Sequence, residues 1–224
     1  MEKGILFSFI PLFALILLSS ACSQTANHNA AMNHNSMDHD SMPVTSNTAS
    51  NSNMPVNHSA MKSDINAASA PFDLQFIDTM THHHKGAVEM SEAALKKSSN
   101  EDLKKFAQKV IDEQTEEIAQ MRDWREKWFG ENPSALNMEM PGMKDSMKMM
   151  AGEAMKKFEA SSGKEFDLMF LDMMTDHHKG ATTMAKDALT KAERPEIKTL
   201  AGKIIKAQDE EIKKMSAWKS QWSK

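Results

Sequence analysis

Four long stretches of the chain place apolar side chains at alternating steps of three and four residues, which is the spacing of one face of an α-helix. They run over about residues 71–97, 101–128, 164–191 and 195–222. No stretch shows the strict alternation of apolar and polar residues that is typical of a β-strand. The pattern therefore predicts an all-α protein with four main helices.

Short polar links join these helices in pairs. Only residues 98–100 separate the first two helices, and a link of this length makes two helices antiparallel neighbours. Neither hairpin, residues 71–129 or residues 164–223, can cover its apolar face alone. We therefore expect an antiparallel four-helix bundle over residues 71–224, in which residues 130–163 form a long crossover between the hairpins.

The two hairpins are copies of one sequence. Residues 72–90 match residues 166–184, which lie 94 positions further on, without a gap. The register persists to the end of each copy, where the matching pairs are Met121 and Met215, Trp124 and Trp218, and Trp128 and Trp222. A repeat of this kind predicts one supersecondary unit that is used twice.

The repeated face carries imidazole and thioether groups among its apolar residues. His83 lies on the apolar stripe of the first helix, and His84 lies one position round it. Methionines stand three or four residues before these histidines and two turns after them, so each first helix presents a Met-His-His-Met strip towards the interior. The predicted metal ligands are Met80, His83, His84, Met90, Met121, Met174, His177, His178, Met184 and Met215.

Two glutamates on the partner helices are candidate partners of these imidazoles. Glu117 and Glu211 occupy the apolar stripes of the second and fourth helices. A buried imidazole is costly unless it is paired, and carboxylates commonly orient imidazoles that bind metal. We therefore expect Glu117 to hydrogen-bond His83, and Glu211 to do the same for His177.

Core packing is the alternative explanation for each of these residues taken alone, because a single histidine or methionine on an apolar face is usually a packing residue. Two adjacent histidines that are flanked by methionines and occur twice favour metal binding instead. The methionines of the crossover and of the N-terminal segment favour it further, since core packing is not expected to explain them.

Composition and spacing indicate copper as the metal. The 224 residues include 21 methionines and a single cysteine, which excludes sites built from several thiolates and disfavours closed Cys/His zinc sites. No glutamate stands three residues before a histidine, and this argues against a carboxylate-bridged di-iron centre. Thioethers favour Cu(I) and imidazole accepts both oxidation states, so we expect Cu(I), Cu(II) or both, with silver as a substitute.

Residues 22–70 are rich in Asn, Ser, Ala, Met and His and have almost no large apolar side chains. Such a segment cannot bury enough surface to offset the entropy of ordering it, so we predict a disordered tether. Its imidazoles and the crossover methionines are candidates for capturing metal. These candidates are His28, His34, His39, His58, Met138, Met140, Met143 and Met147.

Residues 1–21 have the pattern of a secretory signal peptide. A charged start at Lys3 precedes an apolar run that is too short to span a membrane, and small residues stand before Cys22. Cys22 resembles the lipidated cysteine of bacterial lipoproteins. We therefore expect an exported, periplasmic protein with a lipid anchor in the outer membrane. The formal net charge of −4, without a basic stripe, argues against a nucleic-acid partner.

Two motifs of each repeat resemble those of the bacterial family known as domain of unknown function 305. The first is Phe-Asp-x-x-Phe-x-Asp-x-Met-x-x-His-His-x-x-Ala-x-x-Met, which begins at Phe72 and Phe166, and the second is Gln-x-x-Glu-Ile-x-x-Met, which begins at Gln114 and Gln208. The resemblance covers about residues 71–224 and implies a ferritin-like four-helix bundle. Some exported members of this family are implicated in copper binding and copper resistance in the periplasm, so the resemblance implies such a role for this chain.

Together these observations predict a protein that sequesters, buffers or relays copper through Met/His sites. Exchange between such sites requires only ligand substitution, so we expect no enzymatic activity. The expected partners are metal ions and other periplasmic copper-handling proteins. Two alternatives remain open: a ferritin-like metal-dependent oxidase, and a helical protein-interaction module that works without metal.

Overall fold

A computed structural model describes residues 62–224, and every element of regular secondary structure in this range is helical. The predicted all-α class is therefore confirmed for this part of the chain. A short 3₁₀ helix, Ala67–Ser69, precedes six α-helices. These are α1 (Phe72–Lys97), α2 (Glu101–Phe129), α3 (Met143–Met149), α4 (Gly152–Ala160), α5 (Gly163–Lys191) and α6 (Pro195–Trp222).

The two repeats meet through their first helices. Helix α1 packs against α2, α5 packs against α6, and α1 also contacts α5. Large side chains that are fully or almost fully buried fill the space between these helices, among them Phe76, Phe106 and Phe170. The contact between α1 and α5 positions the candidate site, because it brings matching faces of the two repeats together.

A side chain of the first link and a side chain of α1 contact the backbone where the second helix of each repeat begins. Asn100 Oδ1 accepts hydrogen bonds from the amides of Asp102 and Leu103, so Asn100 caps the N-terminus of α2. At the start of α6, the carboxylate of Asp73 in α1 accepts hydrogen bonds from the backbone amides of Glu193 and Arg194, each at 3.0 Å. The start of α1 in repeat one is thereby tied to the link that precedes α6 in repeat two.

Residues 62–70, which we predicted to be part of a disordered tether, have a defined structure. The amide of Asp64 donates to the carbonyl of Leu136 over 2.8 Å, and Asp64 Oδ2 accepts from the Leu136 amide and the Ser134 hydroxyl. Composition misled the prediction because short polar side chains order this segment, and such contacts leave no apolar pattern. The rest of the tether lies outside the described residues.

The crossover methionines are packing residues, contrary to the expectation that core packing would not explain them. Met138, Met140, Met143 and Met147 are all buried and belong to the main apolar cluster. Helix α3 carries two of them onto α5, against which it packs. Their burial weakens the idea that they exchange metal with solvent. Within residues 62–224 there is no helix both long and apolar enough to cross a membrane.

Candidate metal site

Two imidazoles from matching positions of the repeats are in contact where α1 meets α5. The ring centroids of His83 and His177 are 3.7 Å apart, and the ring planes are inclined by 36°. Each residue is only 1% exposed. Equivalent positions of the two repeats are therefore neighbours in the structure, because α1 and α5 pack against each other through matching faces.

The second imidazole of each pair is held by a carboxylate of the partner helix. His84 Nε2 lies 2.7 Å from Glu117 Oε2, and His178 Nε2 lies 2.8 Å from Glu211 Oε2. The prediction that Glu117 pairs with His83 and Glu211 with His177 is therefore wrong by one position. Adjacent residues of a helix point about 100° apart. The first histidine of each pair faces the other repeat, while the second faces the partner helix of its own hairpin.

Ser146 of α3 also contacts His83. Ser146 lies outside the repeated segments, so the repeat did not indicate this contact. Its Oγ is 3.0 Å from His83 Nε2 and 2.9 Å from the carbonyl oxygen of Gly142. A serine hydroxyl has one proton, so donation to the carbonyl requires Oγ to accept from His83 Nε2–H. This arrangement favours the His83 tautomer whose Nδ1 carries a lone pair.

The same argument assigns the lone pairs of the outer imidazoles. An ionised carboxylate only accepts hydrogen bonds, so the Nε2 atoms of His84 and His178 donate to Glu117 and Glu211. The Nδ1 atoms of His83, His84 and His178 are buried without a hydrogen-bond partner among residues 62–224. An imidazole that donates one N–H to the protein and offers the other nitrogen has the arrangement of a metal-binding histidine. The donor set therefore fits a metal ion.

Electrostatics keep the inner imidazole neutral. Burial holds the pKa of His83 well below its usual value, and the neighbouring His177, His84 and His178 lower this pKa further. Metal binding requires an unprotonated imidazole, so a depressed pKa keeps this nitrogen available.

The carboxylate of Glu211 has two partners, one of which we did not anticipate. Burial would raise its pKa, but the hydrogen bonds and charges of His178 and Lys109 outweigh burial, and the net effect is a lowered pKa. Lys109 Nζ lies 2.6 Å from Glu211 Oε1 and also 2.6 Å from Glu113 Oε2. The four-residue spacing of Lys109 and Glu113 indicates their ion pair, but nothing in the sequence indicates the reach to Glu211.

The thioethers of the predicted site all belong to the buried apolar core. All six have no exposed surface: Met80, Met90, Met121, Met174, Met184 and Met215. One of them, Met215, has its Sδ 3.9 Å from the Thr175 hydroxyl. The described part of the chain contains no group of three or more His, Cys, Asp or Glu side chains placed to hold a metal. An ion bound here would therefore need thioether ligands as well as imidazoles.

Several predicted residues lie outside residues 62–224. They are the lipidation candidate Cys22 and the tether histidines His28, His34, His39 and His58, together with the predicted signal peptide.

Comparison with known proteins gives a family match and several similar structures. The family described as "Domain of unknown function (DUF305)" matches residues 18–125 and residues 73–219. Structures of CopM in Cu(II)-, Cu(I)- and Ag-bound forms are 33–36% identical to this chain, with TM-scores of 0.54–0.56. They cover 67% of this chain and 96–97% of CopM.

Two further solved structures are similar. A DUF305 protein from Streptomyces coelicolor is 27% identical, has a TM-score of 0.59, and covers 71% of this chain and 96% of its own. A DUF305 fragment from Deinococcus radiodurans is also 27% identical, with a TM-score of 0.58, and covers 68% of this chain and 97% of its own. A comparison with curated proteins gave no match.

Proposed function

Because this chain belongs to the DUF305 family and is 33–36% identical to CopM, whose structures include Cu(II)- and Cu(I)-bound forms, we propose that it binds copper through its repeated imidazole and thioether groups. In this proposal the protein holds copper or passes it on, and it catalyses no reaction. Sequestration, buffering and relay all require the same reversible exchange of ligands.

One observation carries the proposal. Three buried imidazole Nδ1 atoms, of His83, His84 and His178, lack a hydrogen-bond partner within residues 62–224, while their Nε2 atoms contact Ser146 or a glutamate. An unpaired buried polar atom costs about 1–3 kcal/mol. A metal ion would remove this cost by accepting the lone pair, which packing alone does not do.

The surrounding ligands favour a soft ion. Since the described chain lacks a cluster of three His, Cys, Asp or Glu side chains, the remaining ligands must come from the buried methionines. Thioethers select Cu(I), and silver would bind the same groups, whereas Mg²⁺ or Ca²⁺ would not. The CopM structures with Cu(I), Cu(II) and Ag support this choice by analogy.

The proposal includes a fold and a location. The contacts of α1 with α2, α5 with α6, and α1 with α5 support an antiparallel, ferritin-like four-helix bundle that encloses the site. The pattern of residues 1–22 supports export and a lipid anchor, which would place the site where copper enters the cell envelope. Other copper-handling proteins of the periplasm would then be its exchange partners.

Titration of the full-length chain with Cu(I), in competition with a coloured Cu(I) chelator, tests the proposal. The double variant His83→Gln/His177→Gln should lose the tightest class of bound copper. The matched control is His82→Asp, which introduces the residue that the second repeat carries at the equivalent position 176. This control should bind like the parent protein.

A second pair of variants tests the thioethers. Met80→Leu/Met174→Leu keeps the buried volume nearly constant, and such exchanges usually cost less than about 1.5 kcal/mol of stability. It should weaken Cu(I) and Ag(I) binding more than Cu(II) binding, because only the soft ions depend on sulfur. The proposal fails if neither double variant changes the number or the affinity of the tight sites.

A further inference from the structure

A groove between α2 and α6 lies directly above the candidate site. Its volume is about 230 Å³, and acidic and amide side chains contribute most of its polar lining. We call it the acidic groove; its polar lining residues are Glu113, Gln114, Glu116, Glu117, Gln120, Lys203, Gln208 and Glu211.

Two carboxylates connect the acidic groove to the buried imidazoles. Glu117 and Glu211 line the groove, and each also hydrogen-bonds a histidine that has no exposed surface. The Glu117 side chain is 20% exposed, so one carboxylate reaches both solvent and His84. On the opposite side of the imidazoles, α3 covers α5 and the contacting Ser146 is fully buried. On the groove side, therefore, a single glutamate side chain separates solvent from each outer imidazole.

Two glutamines that line the acidic groove each have an amide oxygen without a partner. Gln114 and Gln208 occupy equivalent positions of the repeats, and each is 3% exposed. The Oε1 atom of each is buried without a hydrogen-bond partner among the residues that the structure describes. A buried carbonyl oxygen without a hydrogen-bond donor is costly. A cation in the groove would interact with this oxygen in place of the missing donor. Amide and carboxylate oxygens bind hydrated divalent cations, but copper prefers imidazole and thioether ligands.

The charge of the acidic groove favours cations. Four glutamates line it against one lysine, Lys203. Lys109 joins Glu113 and Glu211 from beside the groove and neutralises part of this charge. A cleft lined by charge of one sign raises the local concentration of counter-ions and their rate of association.

We propose that the acidic groove is the port through which copper reaches the buried site. The ion first exchanges bound water for the oxygens of the groove, and then exchanges these oxygens for imidazole and thioether groups. No bond other than the metal–ligand bonds is made or broken, and no electron is transferred. The inference rests on the proposed function, since a port requires an interior site.

A steric block tests the port. Ala207 lines the acidic groove, and its methyl side chain is neither a hydrogen-bond partner of an imidazole nor a metal ligand. Ala207→Trp should therefore fill the passage without removing a ligand. Stopped-flow transfer of Cu(II) from a coloured chelator to the full-length chain measures entry, and transfer back to excess chelator measures exit. Both rates should fall by about tenfold or more while the equilibrium affinity stays constant, as for binding that requires an opening step. Ala207→Ser is the matched control and should leave both rates unchanged.

An electrostatic variant gives an independent test if the tryptophan disturbs folding. Glu113 and Glu116 are exposed groove residues that do not contact a histidine. Glu113→Gln/Glu116→Gln should slow Cu(II) entry by about threefold to tenfold at low ionic strength, and salt should reduce this difference. Glu131→Gln/Glu153→Gln removes the same charge from exposed positions outside the groove and should change the rate much less.

The outcomes separate the port from the proposed function. If His83→Gln/His177→Gln loses tight copper but both groove variants keep the parental rates, the port is refuted and the binding site stands. If Ala207→Trp loses the bound copper itself while the histidine variant retains it, the groove is the binding site, which refutes both.

Discussion

Removal of the charge on Glu211 should destabilise the metal-free protein more than the same change at its repeat partner, Glu117. Glu211 accepts from His178 Nε2 over 2.8 Å and from Lys109 Nζ over 2.6 Å, and its side chain is 7% exposed. Glu117 makes one such bond, to His84, and its side chain is 20% exposed. The two positions differ in environment although they are identical in sequence.

The contacts set the expected magnitudes. Glutamine at position 211 can accept from His178 but directs an amide group at the ammonium of Lys109, so we expect Glu211→Gln to cost about 1–3 kcal/mol. Glu117→Gln weakens one charge-assisted bond and should cost about 0.5–1.5 kcal/mol. Because Lys109 is about half exposed, its share of the difference is limited to about 0.5–1 kcal/mol.

Urea unfolding followed by circular dichroism and tryptophan fluorescence measures this difference. The protein must be kept metal-free with a chelator, since a ligand of the native state would mask the effect. An unchanged slope with denaturant would show that both variants unfold from the same native state. Glu210→Gln, at an exposed neighbouring position, is the control and should lie within about 0.5 kcal/mol of the parent. A loss at Glu117→Gln that equals or exceeds the loss at Glu211→Gln would refute the reasoning.

Two further predictions concern α3 and acid stability. A Cβ atom at Gly180 would lie 1.7 Å from Ser146 Oγ, so Gly180→Ala should displace α3 and lower the free energy of unfolding by about 1–3 kcal/mol. A Cβ atom at Gly202 would have nothing within 4 Å, so Gly202→Ala should raise the free energy of unfolding by about 0.5–1 kcal/mol. Urea unfolding measures both changes. Because the pKa of His83 is lowered from 6.5, His83 binds a proton in the unfolded chain at a pH where it is still neutral in the folded protein. The metal-free protein should therefore lose stability as pH falls below about 6.5, and the loss should be smaller in His83→Gln; equal pH profiles would contradict this.

The helices and the central histidine contact could be predicted because both follow from periodicity. Apolar spacing indicates helices, and a gapless repeat indicates that equivalent residues meet where equivalent helices pack. His83 and His177 meet for this reason. The pairing of Glu117 and Glu211 could not be predicted, because it depends on which of two adjacent histidines turns towards the partner helix. The apolar pattern of α1 shows which residues face inwards, but it does not show which of them face α2 and which face α5.

The contribution of the crossover was missed for a different reason. Ser146 contacts His83, but it lies outside the repeat and has no equivalent whose position would indicate its role. The crossover methionines were misjudged because a sequence rich in flexible thioethers has the same composition whether it is buried or exposed. The close approach of α3 to α5, at Gly142 and Gly180, accounts for the burial of Met143 and Met147, and no pattern in the sequence indicates it.

The repeat explains why the site has two halves, and the departures from it explain why the halves differ. Lys109 has Lys203 as its counterpart, but Glu113 is matched by Ala207, so the second repeat lacks the carboxylate that anchors Lys109 by the four-residue spacing. Lys109 reaches across to Glu211, and no lysine of the described chain forms an ion pair with Glu117. Glu117 is also the more exposed of the two. A carboxylate that must release its histidine while an ion passes does so at lower cost when no ammonium group restrains it. Exchange with solvent should therefore begin at Glu117.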